Sequence, residues 1–87
     1  MYQVNFYTKA SKSFQKIPLE YQNRIRKIIP RLEESPFTLD LKKLHQPHYA
    51  THRLRIGNYR IFLDIDTTNK TINIIEVERR TTQTYSR

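Results

Sequence analysis

The sequence predicts one α+β domain with an N-terminal strand, a helical hairpin and then a C-terminal antiparallel β-meander. Three observations predict this order. Apolar residues alternate with polar ones over 2–6, recur every three or four positions over 10–32, and alternate again on both sides of Gly57-Asn58. A chain of 87 residues suits one hydrophobic core, so we expect residues 1–87 to form a single domain.

The first strand and a short helix are predicted at the start of the chain. Tyr2, Val4 and Phe6 alternate with polar residues, which is typical of a strand with one buried face. Thr8 can cap the helix that follows, because apolar residues recur at helical spacing over 10–17.

The second helix is predicted to start at Pro18 and to run through Glu34. Its apolar stripe consists of Tyr21, Ile25, Ile28 and Leu32. Pro30 lies within this stretch and has no backbone N–H to donate, so we expect a kink or an early end there. The remaining surface is basic, and a solvated face and a binding face fit it equally well. Its cations are Arg24, Arg26, Lys27 and Arg31.

A β-hairpin is predicted around Gly57-Asn58, which is a two-residue connection of the hairpin type. In the strand before it, which begins at Tyr49, alternation puts Arg53 and Arg55 on one face. Arg60, just after the turn, is placed to join them.

The segments on either side of the hairpin are less regular. Residues 35–48 have little periodicity and are predicted to form a basic loop that contains Lys42 and Lys43. Residues 71–77 are predicted to form the third strand of the meander. Apolar residues occur at both odd and even positions of this strand, which indicates that both of its faces are covered. Counting positions therefore does not show on which face Arg79 lies. A tail is predicted from residue 78 onward.

The charge balance favours a polyanionic partner. Sixteen Lys and Arg against eight Asp and Glu give a net charge of +8 and a pI near 10.1. A field of this sign attracts nucleic acid. A basic surface that only maintains solubility is the alternative.

Composition also excludes several kinds of chemistry. The chain has no cysteine, which excludes disulfides, thiolate metal sites and cysteine nucleophiles and suits the reducing cytosol. Its single glycine excludes the phosphate loop and the dinucleotide-binding fingerprint. Because no apolar run approaches the ~20 residues of a membrane span and the N-terminus does not resemble a signal peptide, we expect a cytoplasmic protein.

The remaining titratable residues match no familiar metal site or acid pair. His45, His48 and His52 lack the spacing of zinc ligands, so we expect neither a metal nor a cofactor. Two acidic pairs align on strand faces, and solvation of strand ends explains them better than paired-carboxylate catalysis. These pairs are Asp64 with Asp66 and Glu76 with Glu78.

Arginine and tyrosine are the residue types that remain for chemistry. They are Arg53, Arg55 and Arg60 on the hairpin and Arg79, Arg80 and Tyr85 near the C-terminus. Guanidinium groups bind phosphate oxygens bidentately and can stabilise a pentacoordinate phosphorane without a metal. Tyrosine can stack on a base or exchange a proton. The combination favours RNA phosphate, and an ordinary basic sheet face is the alternative.

The residues around the hairpin turn resemble the RelE/ParE toxin superfamily. The resemblance rests on HRLRIGNYRI at 52–61, with Lys42-Lys43-Leu44 before it and Glu78-Arg79-Arg80 and Tyr85 after it. It extends over nearly the whole chain and includes Glu34-Ser35-Pro36. It implies a RelE-like fold with the helices on one sheet face, and a toxin of a toxin–antitoxin system.

The resemblance also implies an activity, which differs between two branches. RelE-like members cleave messenger RNA in the ribosomal A site, whereas ParE-like members poison DNA gyrase. The pattern of basic residues favours the RelE branch, because the positions of its catalytic residues are matched in kind. They are Arg53, Arg55, Arg60, Arg79 and Tyr85, with Lys42, Lys43 and Arg80 as further RNA-binding residues.

The implied reaction is metal-independent attack of the RNA 2′-hydroxyl on the adjacent phosphorus. Arg60 and Arg79 are then expected to stabilise transition-state charge, Arg53 and Arg55 to position the substrate and assist proton transfer, and Tyr85 to stack or exchange a proton. The best-known branch has lysines in place of the first two arginines and a longer hairpin turn. Arginine is a poor proton-transfer group, so the general base and acid are not assigned.

The implied partners are messenger RNA on the ribosome and a cognate antitoxin, with a heterotetramer as one form of the complex. Two other functions stay open. One is inhibition of DNA gyrase in the manner of ParE, in which the arginines are contact residues. The other is a non-catalytic RNA-binding or ribosome-binding module.

Overall fold

In the computed structural model, a five-stranded sheet and two helices form the domain, and residues 1–45 and 49–79 are described. The elements are β1 (Gln3–Phe6), α1 (Thr8–Lys16), α2 (Leu19–Glu34), a 3₁₀ turn (Pro36–Thr38), β2 (Leu41–Lys43), β3 (His52–Ile56), β4 (Tyr59–Asp66) and β5 (Thr71–Arg79). The predicted α+β class and its order of strand, helical hairpin and meander are confirmed. None of the helices among these residues is long and apolar enough to cross a membrane.

The sheet is mixed, with the strand order β1-β5-β4-β3-β2. Strands β2 to β5 pair antiparallel with their neighbours, while β1 pairs parallel with β5, with Val4 opposite Ile72. A parallel pair requires a long crossover, and here both helices and three strands lie between the two partners. Strand β1 therefore lies beside the last strand of the meander and forms one edge of the sheet.

The hydrophobic core lies between the helices and one face of the sheet. Ile25 and Leu32 of α2 are each only 1% exposed, so two residues of the predicted stripe are fully buried. They pack in one cluster with Ala10 of α1 and with inward residues of the sheet. The inward residues are Leu54, Ile56, Tyr59, Ile61, Leu63, Ile65, Ile72, Ile74 and Val77. The residues that alternate with them in β3 and β4 lie on the opposite face of the sheet, which we call the open face. They include Arg53, Arg55, Arg60 and Phe62.

Helix α2 continues to Glu34, as the apolar pattern predicts, so of the two outcomes expected at Pro30, a kink or an early end, the early end is wrong. Pro30 is exposed, so water can hydrate the carbonyl that loses its backbone donor. Leu32, beyond the proline, is buried in the core, and its packing stabilises the last turn of the helix.

Part of the predicted basic loop over 35–48 is ordered as regular structure. The 3₁₀ turn begins at buried Pro36, and β2 forms the edge of the sheet with Lys42 opposite Arg53. A strand of three residues is too short to show an alternation in the sequence. Exposed lysines on a short edge strand also prevent pairing with other chains.

The third strand of the meander is longer than predicted and contains an irregularity. Strand β5 extends to Arg79, so the tail predicted from residue 78 is wrong for its first two positions. A register shift opposite Phe62 and Leu63 leaves Ile75 as the extra residue of a β-bulge. The bulge explains why apolar residues of both parities occur in this strand: Ile72 and Ile74 precede it, and Val77 follows it on the same face.

Candidate functional site

The open face of the sheet carries most of the predicted site residues. Directly opposite residues of antiparallel strands share a face. The register pairs Lys42 with Arg53, and Arg55 with Arg60, so these four cations lie on the face that the helices do not cover. The prediction that Arg60 joins Arg53 and Arg55 is confirmed.

A polar cleft lies at the β2–β3 edge of this face, and we call it the basic cleft. It is lined by Asp40, Lys42, Arg53 and Arg55 and has a volume of about 170 Å³. In the part of the chain that the structure describes, the side chains of Arg53 and Arg55 make no hydrogen bond and no ion pair. Both guanidinium groups are therefore available to an anion, and three cations against one carboxylate give the cleft its positive charge.

Arg60 differs from the other two arginines because it has a carboxylate partner. Its Nη2 lies 3.2 Å from Oε1 of Glu78, which is its register partner on β5. Its Nε is buried without a hydrogen-bond acceptor among the described residues. The guanidinium is therefore restrained by Glu78 and retains an unused donor, which an incoming phosphate oxygen could satisfy after a small rotation. Sequence reasoning assigned no partner to Arg60.

The adjacent lysines of β2 point to opposite faces. Lys42 shares the open face with Arg53, but Lys43 is opposite His52 and so lies on the helix side. Burial, followed by the charge of Lys43, lowers the pKa of His52, and Asp64 opposes this change. The His52 ring is also held by Phe37, at 5.8 Å between ring centroids, and by a contact of 2.8 Å between Nδ1 and the Thr51 hydroxyl oxygen.

Of the predicted C-terminal site residues, the structure describes only Arg79. Arg79 is opposite Tyr59, so its register position is on the helix-side face at the end of β5. It is exposed, and it lies at the same end of the sheet as Arg55 and Arg60. Arg80 and Tyr85 lie outside the described residues, as does His48.

A second cluster on the open face was not found from the sequence. The Tyr49 hydroxyl donates a hydrogen bond to Oε1 of Glu76, and the Tyr49 ring meets Phe62 edge-on at 5.7 Å between centroids. Glu76 also accepts an ion pair from Lys9, with Nζ 3.5 Å from Oε2. Burial, together with the hydrogen bond to Glu76, raises the pKa of the Tyr49 phenol far above its ordinary range. The pairing of β4 with β5 places Phe62 opposite Glu76, and Tyr49 and Lys9 reach Glu76 from outside these two strands. The linear sequence therefore carries no signal for this cluster.

The acidic residues have structural roles beyond the predicted solvation of strand ends. Glu76 and Glu78 hold cations and a phenol, as described above. Asp66 accepts hydrogen bonds from the backbone N–H groups of Thr68 and Asn69 and from the Asn69 side chain. Among the described residues, no group of three or more His, Cys, Asp or Glu side chains is arranged to hold a metal ion.

A family model and several solved structures match this chain. The model described as "ParE toxin of type II toxin-antitoxin system, parDE" matches residues 4–84. No curated protein sequence matches the chain at a significant level.

The solved structures that match are RelE-type complexes and toxins. A chain of the RelBE2 toxin–antitoxin complex from Mycobacterium tuberculosis is 28% identical, with a TM-score of 0.80, over 91% of this chain and 98% of that one. A chain of the archaeal RelE–RelB complex from Pyrococcus horikoshii is 25% identical, with a TM-score of 0.79, over 91% and 94% of the two chains. The isolated RelE toxin of E. coli has a TM-score of 0.78 over 99% of this chain and 93% of its own, and at 19% identity the likeness concerns the fold alone.

Proposed function

Because the chain belongs to the ParE toxin family of type II toxin–antitoxin systems, within the RelE/ParE superfamily, we propose that it acts as a ribosome-dependent endoribonuclease of the RelE kind. The observation that carries this proposal is the basic cleft. Its two arginines have no anionic partner among the described residues, and they lie side by side on a face that the helices leave uncovered. Structural similarity to RelE complexes at 25–28% identity supports the same branch.

The proposed reaction is an internal transfer at phosphorus. The 2′-oxygen of a nucleotide forms a bond to the adjacent phosphorus and loses its proton. The bond from phosphorus to the 5′-oxygen of the next nucleotide breaks, and that oxygen gains a proton. The products are a 2′,3′-cyclic phosphate and a 5′-hydroxyl end. Extra negative charge on the phosphorane oxygens is the feature that guanidinium groups stabilise.

The arrangement of the cations suggests how they share this work. Lys42, Arg53 and Arg55 bind and orient the RNA backbone in the basic cleft. Arg60, next to Arg55 across the hairpin, stabilises the phosphorane, with Glu78 holding its guanidinium in place. The ribosome supplies the orientation of the message, which can replace much of the catalysis that strong acid–base groups give in other nucleases.

Two C-terminal residues complete the proposal. Arg79 adds charge stabilisation from the end of β5, and Tyr85 stacks on a base or exchanges a proton, as the family resemblance implies. Lys43 contributes an RNA contact outside the basic cleft, and Arg80 contributes a further RNA contact, as the family resemblance implies. The positive charge comes from side chains, so the proposed reaction needs no metal in the toxin.

Primer extension on translated messages tests the proposal. The wild-type chain should produce discrete breaks within codons on ribosome-bound message, and cleavage should survive chelation of metal from the toxin when magnesium is restored for the ribosome. Arg53→Ala and Arg55→Ala should each reduce single-turnover cleavage by roughly 10- to 100-fold, as expected for loss of a charge-assisted contact of about 1.5–3 kcal/mol.

The matched control is Arg31→Ala, which removes the same charge from an exposed position in the last turn of α2. It should retain near-wild-type cleavage. Equal losses in Arg31→Ala and Arg53→Ala would show that net charge alone matters and would contradict the assignment of the basic cleft.

Inhibition of DNA gyrase is the second candidate, and the description of the matching family model favours it. In that case messages should stay intact in cells that express the toxin, and purified gyrase should accumulate cleaved DNA in its presence. That pair of results would replace the endoribonuclease proposal.

A further inference from the structure

Tyr49 is an exposed aromatic ring that the structure holds in one orientation. The residue is 53% exposed, although its hydroxyl is tied to Glu76 and its ring contacts Phe62. The two ring planes are nearly perpendicular, at 86°. Phe62 therefore does not stack on Tyr49, and an edge-on contact of this kind covers at most one face of the Tyr49 ring.

The position of this ring relative to the basic cleft is set by the register. Phe62, beneath Tyr49, is directly opposite Arg53 on β3 and opposite Glu76 on β5. Lys42 follows on β2, opposite Arg53. Neighbouring strands lie ~4.8 Å apart, so Phe62 is one strand away from Arg53, the first cation of the cleft. The Tyr49 ring contacts Phe62 and its hydroxyl reaches Glu76 on β5, so this ring lies one to two strands from Arg53. An aromatic surface beside a row of cations is the combination that single-stranded nucleic acid requires.

We propose that Tyr49 is a stacking platform for one base of single-stranded RNA whose backbone phosphates lie along Arg53, Lys42 and Arg55. The choice of RNA as ligand rests on the proposed function, and the base contact is an addition to it. Charge favours a polyanion over a basic or neutral protein segment, and the exposed aromatic ring beside the cations favours single-stranded RNA over an acidic peptide.

Stacking of this kind is tolerant of sequence, because every base has a π-face. The platform therefore adds affinity at one nucleotide without reading which base is present. The hydrogen bond from the hydroxyl to Glu76 limits rotation of the ring, so less side-chain entropy is lost when a base binds.

Binding of short RNA oligonucleotides that contain 2-aminopurine tests the platform. The wild-type chain should bind them at low salt and quench the fluorescence of the stacked base. Tyr49→Ala should weaken binding about 5- to 100-fold and abolish the quenching, whereas Tyr49→Phe keeps the ring and should lose only a few-fold. Tyr49→Ala should leave the salt dependence unchanged, while Arg53→Ala should reduce its log–log slope by about 0.7, as expected for one phosphate contact to a single strand.

Phe37→Ala is the matched control, because Phe37 is 56% exposed and also meets an aromatic partner, His52, but on the helix side of the sheet. It should bind and quench as the wild type does. No binding by the wild-type chain, or equal losses in Phe37→Ala and Tyr49→Ala, would overturn the platform. Cleavage of message without oligonucleotide binding would reject the platform alone, and binding that depends on Tyr49 without cleavage would reject the endoribonuclease alone.

Discussion

Gly57 is the residue that lets the β3–β4 turn close against the second helix. Its φ angle is +57°, in the left-handed region that side chains disfavour. A Cβ atom there would stand 2.7 Å from Cε1 of Tyr21 and 3.0 Å from Nη1 of Arg24. Tyr21 in turn packs on Tyr59, with ring centroids 4.9 Å apart. The turn, α2 and the start of β4 therefore depend on the absence of a side chain at this position.

Substitution of this glycine should destabilise the domain. Gly57→Ala forces both an unfavourable backbone conformation and a clash with a side chain, and we expect a loss of about 1–3 kcal/mol in the free energy of unfolding. Urea denaturation followed by circular dichroism measures it. Asn58→Ala is the control, because Asn58 is exposed and does not have a positive φ, and it should change stability by less than about 0.5 kcal/mol. Similar losses in both variants would contradict this account of the turn.

Asp66 makes the stability of the turn between β4 and β5 depend on pH. Hydrogen bonds from the backbone and the side chain of Asn69 lower the pKa of its carboxyl below the usual 3.8. Desolvation opposes this change, and the hydrogen bond from the Thr68 backbone adds to it. A depressed pKa means that the charged form stabilises the folded state above pH 3.8 and that this contribution disappears as pH falls through the folded pKa. Asp66→Asn, which keeps an acceptor oxygen without the charge, should therefore melt below the wild type at pH 6, and the difference should shrink toward pH 2. A difference independent of pH would show that the charge is irrelevant.

The proposed role of Arg79 can be tested directly by kinetic measurements. If its guanidinium stabilises the phosphorane, Arg79→Ala removes an interaction that is stronger in the transition state than in the ground state. Single-turnover cleavage on the ribosome should fall by roughly 10²–10³-fold while affinity for the ribosome changes little. A fall in affinity with an unchanged cleavage step would instead make Arg79 a binding residue.

At the scale of secondary structure, α2 contributes two almost fully buried side chains to the core between the helices and the sheet. Ile25 and Leu32 are almost completely buried, while Leu19 in the first turn is 65% exposed. Leu32→Ala should reduce the free energy of unfolding by about 2–5 kcal/mol through lost burial and a cavity, whereas Leu19→Ala should be nearly neutral. Chemical denaturation of the two variants compares a buried and an exposed leucine in the same helix. Equal effects would mean that helix propensity, and not core packing, holds α2 in place.

The β-bulge at Ile75 is the element-scale feature with the largest effect on the candidate site. The residues after it, Glu76 and Glu78, lie on the open face only because the bulge shifts the alternation by one position. In that register Glu76 reaches Tyr49 and Glu78 reaches Arg60. If the same sequence alternated regularly through Ile75, without a bulge, Val77 would face outward and both carboxylates would face the core.

The whole molecule has an uneven charge distribution on its open face. Cations occupy the β2–β3 side, at Lys42, Arg53 and Arg55, while carboxylates on β5 are engaged by cations or by a phenol. The net charge of +8 adds to this local field. An acidic partner could therefore cover the same surface that we propose for RNA.

A cognate antitoxin is expected to bind this chain, because the matching structures include toxin–antitoxin complexes. A partner that binds only the folded chain stabilises it by mass action, by about 2.7 kcal/mol when its free concentration is 100 times Kd. The melting temperature should rise with added antitoxin, and RNA cleavage should fall in parallel. The candidate to test is the protein encoded by the reading frame next to that of the toxin, and an unchanged melting temperature in its presence would contradict its role as antitoxin.

The sequence alone determined the class of fold, the hairpin at Gly57-Asn58, the apolar stripe of α2 and the shared face of Arg53, Arg55 and Arg60. Each of these follows from a local periodicity or from the conformational preference of one or two residues, so neighbouring positions carry the information. The same locality explains why an early end at Pro30 was one of the two expected outcomes, because the burial of Leu32, which holds the helix beyond the proline, is a tertiary contact.

The tertiary structure decided the features that depend on distant segments. They are the edge strand β2, the parallel pairing of β1 with β5, the divergence of Lys42 from Lys43, the face of Arg79, and the contacts of Glu76 and Glu78. Strand register and a single-residue bulge fix all of these, and both depend on the packing of the whole sheet against the helices. A shift of one residue reverses which face a side chain occupies. The apolar residues of both parities in β5 did not by themselves distinguish a bulge from a strand that is covered on both faces.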